Sequence, residues 1–423
     1  VAAVGPTTTR PPDAPPAPPP PRRRGDVAAA LALGLGGAVV LAGSGSLVWG
    51  ALRAAAAVAL GLGLARLQTT GRGRLADWTG VVVGLLALPA AGVVAGDRLG
   101  AGRTVVGAAA VLAAAGAGLL LVLGAVRRIR AARGWRRLLA IPVALAAAQL
   151  VAVPVALAVL VTNTSAQPLG EETPQDRGLT YVDVTLTTRD GTDLAAWYVP
   201  GTGGSAVLLL HGSGCTRADA LDHAAALADL GHGVLMVDAR GHGASDGTAM
   251  ALGWHGAEDL VAAVDWLDER PDAEADRIGA VGLSMGGEEA LTLAARDPRV
   301  RVVVAEGAGV RVAGDVREPG WFPHLVDTLT YGLTDLLTAA APPEPLPDVV
   351  AALRPDQRAL LIAGEGEGTQ AAWYATAAPD RVTVWDVPGA GHTRALATHP
   401  DQWSARVGAA LADATGEEAE DRQ

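Results

Sequence analysis

The sequence predicts two unlike parts: an all-α transmembrane bundle, then an α/β domain built on a mostly parallel, doubly wound sheet of eight strands. Three observations lead there. Residues 1–162 hold 16 arginines and only 4 acidic residues, whereas the rest of the chain holds 17 arginines and 40 acidic residues. Long apolar stretches rich in Ala, Leu, Val and Gly fill the first part and end near residue 162. Beyond it, strand-like and helix-like runs alternate, the pattern of layered α/β architecture.

Residues 1–26 are dominated by Pro and Arg and read as a disordered tail. Five apolar stretches follow, at 27–49, 51–67, 79–97, 104–126 and 138–162. Crossing roughly 30 Å of hydrocarbon takes about 20 helical residues. The stretch 51–67 is the shortest and carries Arg53 near its start, where the side chain can snorkel. With the N-terminus in the cytoplasm, five spans put 13 arginines on the inner side, among them Arg22 to Arg24, Arg66, Arg74, Arg127 and Arg128. Arg53, Arg98 and Arg103 face the other side. That bias follows the positive-inside rule and sends the C-terminal domain out of the cytoplasm. Hydrophobicity lasting more than 130 residues is too long for a cleaved signal peptide. A transport role has little to rest on, since Asp97 is the only acidic residue between Asp77 and Glu171.

Residues 163–178 are polar and turn-rich and read as a linker. Strands are predicted at 181–188, 194–199, 206–211, 233–238, 277–283, 300–305, 358–363 and 381–387, the first two as an antiparallel hairpin. Runs such as AVLLL and GVLMV suit parallel strands covered on both faces. Helices are predicted at 217–230, 256–269, 285–296, 369–377 and 400–413. The domain is expected over 179–414, with a cap inserted at about 307–356 and an acidic tail at 415–423. In the cap, Phe322, Leu325, Leu329, Tyr331, Leu333 and Leu336 either line an apolar pocket or pack the cap itself. An acidic domain is a poor partner for nucleic acid. Cys215 is the only cysteine, which excludes an intramolecular disulfide.

Gly282-Leu283-Ser284-Met285-Gly286 fits the nucleophile elbow G-x-S-x-G, directly after a strand-like run and opening a helix-like one. Such a turn lifts the serine hydroxyl to the carboxyl edge of the sheet, at a helix N-terminus that favours an oxyanion. His211-Gly212-Ser213-Gly214 closes the third strand, so the backbone amides of Ser213 and Met285 are the candidate oxyanion donors. His211 itself reads as a brace for that loop. His392, in the loop after the last strand, is the candidate base; His242 and His255 occupy positions more often structural, and His399, the nearest rival, sits at the start of the final helix. The candidate acid is Glu367, three residues after Gly364. Glu365 is the runner-up, with Asp386 and Glu306 as more distant options.

The stretches VLLLHGSG (207–214), VDARGHGASDG (237–247), EDLVAAVDWL (258–267) and RIGAVGLSMGG (277–287) resemble the serine aminopeptidase-like group of α/β-hydrolases, which includes monoacylglycerol lipase-like enzymes. The resemblance covers roughly 190–300 closely and 355–414 more loosely. It implies hydrolysis of an ester, thioester or amide through an acyl-enzyme, without fixing the substrate. It also implies that Asp238 and Arg240 order the loop after the fourth strand. Glu at 367, where the group usually carries Asp, is a departure.

The expected protein is thus a membrane-anchored serine hydrolase acting on a small-molecule or lipid acyl substrate. Ser284, His392 and Glu367 form its triad, and no cofactor or metal is expected. An acyltransferase using the same triad and a non-catalytic hydrolase-like sensor are the alternatives.

Overall fold

The computed structural model describes residues 23–42, 47–70, 73–100, 102–131, 134–162, 164, 167–203, 205–273, 278–317, 320–338 and 340–415. Most of the Pro-rich N-terminal tail and nearly all of the acidic C-terminal tail lie outside them.

Five helices open the chain: α1 (Arg24–Ala42), α2 (Leu47–Thr70), α3 (Gly73–Gly100), α4 (Thr104–Ala131) and α5 (Arg136–Thr162). The first four are long and apolar enough to cross a membrane. The second runs well beyond the short stretch read from the sequence. Helix α5 carries Pro142 and Pro154, and its apolar portion is the shorter Gln149–Thr162. Small residues bring these helices together. A Cβ placed on Gly34 of α1 would lie 2.8 Å from Gly61 Cα of α2, and one on Gly84 of α3 would lie 2.4 Å from Leu121 Cβ of α4. Backbones approach this closely only where no side chain intervenes.

The charged groups of the bundle gather at its ends. At one end, Arg23 reaches Asp77 at 2.9 Å and Gln68 at 3.1 Å, while Arg127 reaches Asp26 at 2.5 Å. The start of α1, the end of α2, the start of α3 and the end of α4 therefore meet there, so the helices run up and down. The opposite end holds the Asp97–Arg98 pair and Arg53.

The second part is a single eight-stranded sheet in the order β1-β2-β4-β3-β5-β6-β7-β8. Its strands are β1 (Val182–Thr187), β2 (Asp193–Val199), β3 (Ala206–Leu210), β4 (Gly233–Val237), β5 (Ile278–Leu283), β6 (Val300–Glu306), β7 (Arg358–Ala363) and β8 (Val382–Asp386). The pairs β1–β2 and β2–β4 are antiparallel, and all others are parallel. Each predicted strand is present, with ends shifted by a residue at most.

Helices cover both faces: α6 (Leu221–Asp229), α7 (Gly256–Asp259), α8 (Val261–Asp268), α9 (Met285–Arg296), α11 (Leu346–Ala351), α12 (Gly368–Ala375), α13 (Ala395–Thr398) and α14 (Pro400–Thr415), while α10 (Trp321–Leu337) packs on α5. On one face Leu208 and Leu210 of β3 pack with Val264, Leu291 and Val349; on the other, Val207 and Leu209 pack with Leu227, Trp403 and Val407. Alternate residues of one strand thus feed two cores, which is why β3 is buried along its whole length.

The inserted segment between β6 and β7 holds α10 and α11. Of the cap residues singled out from the sequence, Tyr331 packs with Met250, Trp254 and Val312 of the α/β domain. Leu333 instead joins Leu337 against Val94, Ala95, Ala110, Val155 and Val159 of the bundle. Two polar links tie the same regions: Arg53 Nη2 donates to Leu337 O at 2.6 Å, and Ala251 N–H donates to Val161 O at 2.9 Å.

Candidate active site

The strand–turn–helix around Ser284 places the serine between β5 and α9. Its φ of 53° and ψ of −118° are rare for a residue with a side chain. The turn is held from both sides. Ser284 N–H donates to Glu306 O at 2.7 Å, extending the β5–β6 ladder by one residue. A Cβ on Gly286 would lie 2.6 Å from Leu210 O, so only glycine lets α9 start beneath the end of β3. The next loop is equally close: a Cβ on Gly212 would sit 3.4 Å from Ser284 Cβ.

Ser284, His392 and Glu367 come together. His392 Nε2 lies 2.9 Å from Ser284 Oγ, and its Nδ1 lies 2.5 Å from Glu367 Oε1. A carboxylate at Nδ1 fixes the proton there, leaving Nε2 to accept from the serine hydroxyl. Glu367 is aimed by its second oxygen, which accepts Gly364 N–H at 2.8 Å. Glu365 contributes its backbone instead, donating its N–H to Ala390 O at 2.7 Å across to the His392 loop. Asp386 lies beside the start of α12, where a Cβ on Gly368 would meet its carboxylate. Gly307, at φ 71°, gives the imidazole its seat, since a Cβ there would lie 2.9 Å from His392 Cε1.

Glu306, an alternative acid in the sequence, has a different task. Its oxygens accept Ala395 N–H at 2.8 Å and Trp403 Nε1–H at 3.0 Å, tying the segment just after His392 to the sheet. Burial pushes its carboxyl above the usual range despite these bonds.

Ser213 and Met285 stand at the two positions expected of oxyanion donors, in the loop after β3 and at the first position of α9. Neither N–H is donated to a backbone acceptor among the described residues. Beside them, His211 donates Nδ1–H to Gly212 O at 2.8 Å and accepts Ala239 N–H on Nε2 at 2.9 Å. Burial lowers its pKa to about 4, so it stays neutral and braces the loop. His242 and His399 are turned to backbone carbonyls, of Arg240 and Pro388. Asp238 accepts Arg217 N–H and Ala244 N–H, while Arg240 bridges Asp190 and Asp259, so both work within the loops around β4.

A cavity of about 810 Å³ opens over Ser284 and His392 and runs between α6 and the α13–α14 corner. Asp219, Asp222 and Asp229 line it together with Arg394, and Asp222 is itself paired with Arg177. Helix α10 supplies none of its described lining.

Sequence reasoning passed over two groups here. His223 lines the cavity edge-on to Trp403, kept neutral by burial that lowers its pKa to about 4. Nothing in LDHAAALAD separates it from an ordinary helix residue. Glu288, in the first turn of α9, is buried, accepts Gly309 N–H at 2.8 Å and has its pKa pushed up to about 7 by desolvation. The doubled carboxylates of GGEEAL, inside a helix opening at the elbow, were its available signal. Among the described residues, no cluster of His, Cys, Asp and Glu could hold a metal ion.

Comparison with known proteins agrees with this architecture. An uncharacterized protein of Mycobacterium tuberculosis, Rv2307c, is 36% identical over 145 residues, covering 33% of this chain and 50% of that protein. A polyketide transferase of a Penicillium species is 35% identical over 127 residues, covering 29% and 43%. The chain thus spans about half the length of the curated relatives it matches. A solved Pyrococcus furiosus esterase superposes with a TM-score of 0.47 at 24% identity, covering 58% of this chain and 96% of the esterase. The model of the S15 family, X-Pro dipeptidyl-peptidase, matches residues 156–402, which is more than half of the chain. With the eight-stranded sheet and its strand order, that match places the protein in the S15 family of α/β hydrolases.

Proposed function

We propose that the protein is a membrane-anchored serine hydrolase that cleaves an ester, thioester or amide acyl bond outside the cytoplasm. The observation that carries this reading is the pair of contacts from His392 to Ser284 and Glu367, behind a serine held at positive φ. Ser284 Oγ attacks the acyl carbon while His392 Nε2 takes its proton. Glu367 stabilises the resulting imidazolium, and the amides of Ser213 and Met285 hold the oxyanion. His392 then returns the proton to the departing alcohol, thiol or amine. Water, deprotonated by the same imidazole, releases the acid and restores Ser284. Among these bonds a peptide amide comes first, because the matching family model is named for a peptidase. The lining carries three carboxylates against Arg394, a balance that favours substrates that are neutral or carry an amine over anionic ones. Helices α1–α4, with α5 as a fifth span and arginines concentrated on the inner side, are the anchor in this reading.

The likeness to a polyketide transferase favours a second reading, in which an alcohol replaces water in the last step. A fluorophosphonate probe is expected to label the full-length protein in membranes, and Ser284→Ala to abolish labelling. Unlabelled wild type, or labelling that survives the substitution, would sink the proposal. A panel of peptide amides, esters and thioesters, with and without added alcohol, then separates hydrolysis from transfer.

A further inference from the structure

Helix α10 has more apolar surface than its packing uses. At about 100° per residue, Trp321, Leu325, Leu329 and Leu336 fall on one arc, and Leu333 and Leu337 continue that arc around the helix. The second group packs on α3, α4 and α5. The first is exposed: Trp321 at 79%, Leu336 at 76%, Leu325 at 40% and Leu329 at 38%. His324 and Asp335 form a polar, exposed edge beside the stripe, while the side opposite it carries the buried Thr330 and Thr334 and the half-buried Asp327. A soluble surface rarely leaves so continuous an apolar stripe in water. Where the stripe sits decides what covers it. The flank of α10 rests on Val94, Ala95, Ala110, Val155 and Val159, in helices whose other sides expose Val111 and Leu112. Arg53, near the same end of the bundle, donates to Leu337 O at 2.6 Å and joins the end of α10 to α2.

We propose that α10 lies in the outer interface of the bilayer, with Trp321, Leu325, Leu329 and Leu336 against lipid. The surface of the bundle and the surface of α10 then form one apolar face, and the hydrolase domain is bound to the membrane by two elements rather than one. An amphipathic helix with an aromatic end and a polar outer side suits that position. This inference rests on the membrane-anchored reading above.

The test uses the full chain with Cys215→Ser, reconstituted in vesicles of phosphatidylethanolamine and phosphatidylglycerol. Single cysteines replace Leu325, Leu329 or Leu336 on the stripe, His324 or Asp335 on the polar edge beside it, and Leu112 in the bundle, each carrying a nitroxide. A cooperative thermal transition confirms that each variant is folded. Labels at 325, 329 and 336 are expected to collide several-fold more often with oxygen than with a water-soluble nickel chelate, as at 112, and those at 324 and 335 to show the reverse. Nickel-accessible labels along the stripe, with 112 still oxygen-rich, would overturn the proposal and leave the anchor intact. Nickel accessibility at 112 as well would refute the anchor, and the proposal with it. Spectral broadening on the stripe that vanishes on dilution with unlabelled protein would assign the face to a second copy instead, again overturning it.

Discussion

In the bundle, glycine lets two helices touch: Gly84 meets α4 with a Cβ-equivalent distance of 2.7 Å to Ala117 O, and Gly34 lies against Gly61. In the hydrolase domain, glycine lets one chain turn: Gly286 fits α9 under β3, and Gly307 yields its space to the His392 ring. Charge divides the same way. The bundle keeps its charged groups at its ends, with Asp26 and Asp77 held by arginines. The hydrolase domain buries Glu288, Glu289, Arg311 and Asp315 close behind the elbow, accepting the desolvation cost inside its core. One region spends its small and polar residues on association between helices. The other uses them to hold a few atoms in place.

That contrast can be tested by asking what each kind of change removes. Glu367→Gln is expected to lower kcat by about 10³- to 10⁴-fold, in line with removing the carboxylate behind the histidine in other serine triads, with little change in thermal stability. Activity within tenfold of wild type would show that the carboxylate does not act on His392. Gly84→Val should do the opposite. Overpacking α3 against α4 is expected to cost about 1–3 kcal/mol, read as a lower bundle transition in detergent, while fluorophosphonate labelling at room temperature persists. An unchanged transition would mean that close approach of α3 and α4 contributes nothing.

The most gradual effect is a pH dependence. Glu288 titrates near 7 in the folded domain, above its ordinary value, so the contribution of its protonated form is fully present below about 4.5 and lost as pH rises through 7. Glu288→Gln stays neutral and can still accept Gly309 N–H. Wild-type stability is expected to fall by at most about 1.4 kcal/mol per pH unit across this range from this group, and the variant to lose that slope. Parallel pH profiles for the two proteins would remove Glu288 from the account.

Much of this was legible in the sequence because the signals were local. Continuous apolar runs marked β3 and β4, and the small residues around Ser284 marked the elbow. His392 was reachable from its place after the last strand, and Glu367 from its spacing to Gly364. What stayed hidden depended on contacts between distant segments. Nothing near Gly307 announces that an imidazole from residue 392 will rest on it. The placement of α10 was equally out of reach: its apolar residues fit a pocket or a packed cap, and only the folded arrangement sets Leu333 and Leu337 against α5. Helix α2 looked short because residues 47–49 read as the end of the first span and Gln68 to Thr70 are polar; Arg53, inside it, has a carbonyl partner in α10.

The backbone of Ser284 carries one more consequence. A residue with a Cβ held at φ 53° and ψ −118° costs the fold on the order of 1–3 kcal/mol, and glycine at the same position would relax it. Drift toward a more stable protein would therefore replace this serine early, and gain by it. In the proposed mechanism, that forgone stability is the cost of presenting the Ser284 hydroxyl from so sharp a turn.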